Sequence, residues 1–88
     1  MLKGMTMYPS VTAVLVQDNY QLGITFNNGE HGVLDMKPYL DFGIFQKLKE
    51  TISFSNVSVS FDTIEWSDVD VDLDPEFVYE KSVKTLIF

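Results

Sequence analysis

Four aspartates alternate with apolar residues in the segment SDVDVDLDPE: Asp68, Asp70, Asp72 and Asp74. Carboxylates at this density are the raw material of a calcium loop. An EF-hand loop requires Gly at its sixth position and a bidentate Glu at its twelfth. Counted from Asp68, those places hold Leu73 and Tyr79; counted from Asp70, they hold Pro75 and Lys81. Both registers fail. In an extended chain the aspartates share one face, and Val69, Val71 and Leu73 share the other. The segment therefore reads as a strand-like linker with a solvated acidic edge. Asp68, Asp70 and Asp72 become candidate partner contacts, with carboxylate-bound metal as the lesser alternative.

His31 is the only histidine, and there is no cysteine. Catalysis by His needs a nucleophile or an orienting carboxylate close in space. Glu30 is its sequence neighbour, but adjacent strand residues point to opposite faces. One His without Cys supplies no zinc set. Gly29 and Gly32 flank this pair, yet no GxGxxG and no phosphate loop accompany them. Among 13 acidic residues no spacing singles out a pair for glycoside hydrolysis. The expectation is a chain with no cofactor that is not an enzyme.

Charge narrows the partners. The chain has a net charge of −7, and its 6 basic residues are all Lys. Arg is the usual bidentate reader of phosphate and guanine. Without it, and without a run of Lys, there is no field to displace counterions from DNA or RNA. The same argument excludes an anionic membrane. No stretch approaches the ~20 apolar residues of a membrane span. The N-terminal segment lacks the apolar run of a signal peptide. The absence of Cys fits a reducing compartment, so a cytoplasmic location is expected.

The elements that would position these residues follow from periodicity. Eighty-eight residues make one domain. Residues 1–9 read as a tail, 11–80 as the core and 82–88 as an apolar C-terminal tail. Residues 11–16 (VTAVLV) are apolar and β-prone, as in a strand buried on both faces or central in a sheet. Tyr20, Leu22, Ile24 and Phe26 then alternate with polar or small residues. Asn28-Gly29 offers a tight turn, and residues 31–36 form the return strand. Asp41 is placed to cap a short helix to about Glu50, with Phe42, Phe45, Leu48 and Ile52 as its apolar stripe. Residues 53–56 read as a loop. Val57, Val59 and Phe61 alternate, Asp62-Thr63 turns, and Ile64 and Trp66 continue. This second hairpin is expected to join the first sheet. Asp74-Pro75-Glu76 opens a second helix, with Asp as cap and Pro in the first position. The fold class is α+β: two layers, an antiparallel sheet of about five strands, and two short helices.

This ordered set resembles the domain-of-unknown-function 2442 family. The matching pieces are YQLGITFNNGEHGVLDMKPYL, GIFQKLKE, FSNVSVSFDTIEW and DVDLDPEFVY. The most characteristic are NGE before a strand ending in Asp35, an aromatic–Leu helix, and Trp66 followed by DLDPE and Tyr79. The resemblance implies a small two-layer α+β domain and no catalytic residue. Some relatives carry an added helix-turn-helix region, which is not expected here. Relatives are often encoded beside another small protein. That implies a two-protein module, toxin–antitoxin-like, with the acidic member neutralising. Typical members have a shorter, Gly-containing link after the tryptophan, where this chain has residues 67–71 (SDVDV).

The reading that results is a protein–protein binding module with a basic partner. Its candidate contacts are Asp68, Asp70 and Asp72 together with Leu86, Ile87 and Phe88 of the apolar tail. The alternative from a different class is a homo-oligomeric structural domain whose tail pairs with a second copy.

Overall fold

The computed structural model describes residues 8–85. Its first three strands are the expected meander: β1 (Val11–Gln17), β2 (Gln21–Phe26) and β3 (His31–Asp35). Turn chemistry sets both connections. Asn19 and Tyr20 adopt positive φ between β1 and β2. Gly29 does so between β2 and β3, at φ 90°, a conformation that suits a residue without Cβ.

The hairpin of β4 (Ser58–Ser60) and β5 (Thr63–Trp66) forms, but it turns on Phe61-Asp62 rather than Asp62-Thr63, which takes Phe61 out of the strand, and it does not join that sheet. The open edge of β3 is taken instead by β7 (Val83–Thr85), giving the order β1-β2-β3-β7. The hairpin extends itself with β6 (Val71–Asp72) into a second antiparallel sheet, β4-β5-β6. The two sheets meet at a corner, where the Val11 N–H donates to the Asp62 carbonyl at 3.0 Å. The described residues thus hold seven strands in two sheets within an α+β fold.

The first helical region departs from its expected form. Residues Gly43–Lys49 make a 3-10 segment, and α1 (Thr51–Ser55) follows after an extended Glu50. The break at Glu50 changes the phase of the stripe. Leu48 is buried and Phe45 half-buried, but Ile52 is 76% exposed and Phe42 is exposed too. Phe54, in the stretch expected to be a loop, fills the core in their stead. Asp41 is not a cap either: its carboxylate pairs with Lys49 at 2.7 Å, and no side chain caps the 3-10 segment. By contrast α2 (Pro75–Lys81) starts as its sequence dictates, with the Asp74 Oδ1 accepting from the Glu76 N–H at 2.8 Å.

The core lies between the sheets and α2. Leu22, Ile24, Phe26 and Leu34 point inward from the large sheet, Ile64, Trp66 and Val71 from the small one, and Val78 from α2. Trp66 is fully buried, and its Nε1–H donates to the Phe54 carbonyl at 2.8 Å, so the one polar atom of the indole is satisfied. Among the described residues no helix is long and apolar enough to cross a membrane.

Candidate interaction surface

Strand alternation that sends Leu22, Ile24 and Phe26 inward sends Gln21, Gly23 and Thr25 outward. Register then builds the outer face of the large sheet in rows. Leu15, Gly23, Val33 and Val83 are opposite one another across β1, β2, β3 and β7. Ala13, Thr25, His31 and Thr85 form the next row. The first row is an apolar stripe, in which Leu15 is 67% and Val83 74% exposed. Gly23 has no side chain, and the gap between the flanking residues is a shallow groove of about 450 Å³. The amide end of Gln17 lies over it: a Cβ at Gly23 would sit 2.8 Å from that nitrogen.

Formal charge is nearly absent from this face. Asp35 lies at one corner, where its carboxylate accepts from the Lys37 N–H at 3.0 Å and pairs with the Lys37 ammonium at 3.3 Å. The ring Nδ1 of His31 lies 3.2 Å from the Thr25 hydroxyl. An exposed sheet face usually alternates apolar-in with polar-out. Here β1 is apolar on both sides but packed on only one. Residues 11–16 read as a strand buried on both faces or central; the structure makes β1 an edge strand with Ala13 and Leu15 exposed.

The acidic segment occupies the other sheet. Its alternation of exposure holds: Asp68, Asp70, Asp72 and Asp74 are exposed, whereas Val71 and Leu73 are buried. The backbone is not extended throughout. Residues Ser67–Val69 form a 3-10 turn, and Asp70 takes the left-handed conformation at φ 60° and ψ 46°. That is where the resemblance implies a Gly-containing link, and Asp tolerates the conformation better than most residues. Asp68 accepts from the Asn56 amide at 2.7 Å, and Asp72 stands across from Glu65 in the β5–β6 ladder. Residues 62–80 hold eight of the thirteen acids and no lysine. Among the described residues the ion pairs are Lys37–Asp35 and Lys49–Asp41, so none of those eight is neutralised by a pair. No group of three ligating side chains among the described residues could hold a metal ion.

The candidate contacts from the sequence are therefore not one site. Asp68, Asp70 and Asp72 lie on the small sheet and its turn. Leu86, Ile87 and Phe88 lie outside the described residues. The three residues before them form β7, which docks on its own chain along β3. The outer-face stripe was missed. Its signal was present in VTAVLV, because an apolar run on a strand packed on one side leaves apolar residues on the other.

Family-like residues are committed to the fold. The Tyr79 hydroxyl donates to Glu30 Oε1 at 2.6 Å, and the Asn28 amide donates to the same oxygen at 2.7 Å. These two hydrogen bonds, the tyrosine's first, hold the Glu30 carboxyl below its ordinary range, and the Lys84 ammonium adds to the effect. The same bond raises the Tyr79 phenol, with burial and the Glu30 charge in support. Lys84 lies over the Tyr79 ring, 3.9 Å from its centroid, and donates to the Tyr79 and Ser82 carbonyls. The clamp fastens the β2–β3 turn to α2 and β7, joining the NGE and DLDPEFVY segments. The sequence profile of the family described as "Protein of unknown function (DUF2442)" matches residues 11–84. The chain belongs to the DUF2442 family. No curated protein and no solved structure matches it. The DUF2442 match ends one residue short of Thr85, so it takes in nearly all of the described fold, the clamp included.

Proposed function

We propose that this DUF2442 chain is a protein-binding module whose contact is the outer face of the large sheet. Its partner presents an apolar segment set among basic residues. The observation that carries this reading is the row Leu15, Gly23, Val33 and Val83, apolar yet open to solvent. Four strands of about five residues give a footprint of roughly 19 by 17 Å, or about 320 Å². A standard interface needs about 800 Å² from each partner. A stable complex must therefore reach past the stripe onto its surroundings; the molecule's surplus of acid lies on residues 62–80, in the small sheet and α2. An apolar centre with a polar rim is the usual anatomy of such a contact. The net charge of −7 disfavours association with a second copy and steers a basic chain toward the molecule. A cytoplasmic, antitoxin-like member of a two-protein pair is a role of this kind.

The test is affinity capture of the tagged chain from its own host, with mass spectrometry at low and moderate salt, beside the variant Leu15→Lys/Val83→Lys. The expected result is a stoichiometric basic partner that is lost at higher salt and absent from the variant. A native mass of twice the chain with nothing else bound would replace this reading with the homo-oligomer. A clean monomer would refute both.

A further inference from the structure

The β4–β5 hairpin turns on two residues, Phe61 and Asp62, between the paired Ser60 and Thr63. Phe61 stands first, at φ 56°. Two-residue turns with positive φ at the first position favour Gly there, because a Cβ meets the following carbonyl. A bulky residue in this conformation is strained. No packing contact among the described residues offsets it. The ring is 97% exposed, lies outside the core cluster and takes part in no aromatic pair among the described residues.

The base of the tip is fixed. The Ser10 hydroxyl donates to the Asp62 carboxylate at 2.8 Å, and the Val11 N–H donates to the Asp62 carbonyl at 3.0 Å. An aromatic with two side-chain torsions on a fixed backbone loses less freedom on entering a pocket than a longer side chain does, and large aromatics dominate binding hot spots. Asp62 beside it is one of the eight acids of residues 62–80 that form no ion pair among the described residues.

We infer that Phe61 is an anchor for a protein partner, one that offers an apolar pocket for the ring and Lys or Arg at the pocket's rim. The inference rests on reading the chain as a protein-binding module, but not on the outer sheet face. Strain at a position that binds rather than stabilises makes Phe61→Gly a stabilising change.

The experiment places the photo-crosslinker p-benzoylphenylalanine at position 61 of the full chain in its host. The cross-linked protein is identified, purified and titrated against wild type, Phe61→Asn and Leu15→Lys/Val83→Lys. We expect one discrete heteromeric product with a basic protein. Its affinity falls at least ten-fold with Phe61→Asn, while Phe61→Gly raises the melting temperature by roughly 4–8 °C. No product, a product of two copies of the chain, or unchanged affinity with Phe61→Asn would overturn the anchor. A fall in melting temperature with Phe61→Gly would overturn the strain argument beneath it. Loss with Phe61→Asn but not with the sheet variant would refute the sheet-face reading and leave the anchor standing; the reverse pattern would do the opposite.

Discussion

The two faces of the large sheet are built from the same strands and treated oppositely. Inward, Leu22, Ile24, Phe26 and Leu34 are almost wholly removed from water. Outward, Leu15 and Val83 keep most of their surface exposed. Apolar burial stabilises by about 25 cal/mol per Å² removed from water, so the inner residues hold the fold and the outer ones add little to it. In the proposed function, that outward apolarity serves contact with a partner.

This contrast can be broken at several strengths. Ile24→Ala opens a cavity in the inner face and should cost about 2–5 kcal/mol in denaturant unfolding. A cost near zero would show that the inner face is not the core. Next comes the helix that covers it. Asp74→Ala removes the cap of α2 and should cost about 1 kcal/mol, read in the same way.

The clamp at the turn gives a pH signature. The Glu30 carboxyl is held low, so its stabilising share is present above about pH 4.3 and lost as pH falls through the folded value. The Tyr79 phenol is held high, so its share is full below about pH 10 and lost as pH rises through the folded value. Tyr79→Phe should therefore lower the melting temperature most near neutral pH, with the gap closing at both extremes. A constant gap would mean that the Tyr79 hydroxyl contributes independently of the Glu30 charge. A second phenol, Tyr8, is pushed up to about 12 first by its hydrogen bond to Glu80. Its ultraviolet titration should show a late component that Tyr8→Phe removes. The smallest effect on the fold should come from Leu15→Lys, which is expected to leave stability within about 0.5 kcal/mol of wild type.

Much of this architecture was legible in the sequence. Period-2 alternation from Tyr20 to Phe26 marked β2 and its buried side correctly. Asp74-Pro75-Glu76 marked the start of α2, because cap, proline and acid are local signals. What failed was non-local. Which sheet accepts the second hairpin depends on who takes the edge of β3, and β7 does so from 54 residues away, Thr85 opposite His31. The 3-10 segment and the break at Glu50 undo a stripe that was sound only for a continuous helix. Of the candidate contacts, the acidic residues were visible because charge is visible in sequence. The outer-face row was not, since its four residues come from four strands and only register brings them together.

The measurement that bears most directly on the central claim is a calorimetric titration of the captured partner against Leu15→Lys/Val83→Lys, run where the variant is fully folded. The account predicts at least a ten-fold loss of affinity with an unfolding midpoint like that of wild type. Unchanged affinity would contradict it, and the outer face would then be surface without a contact.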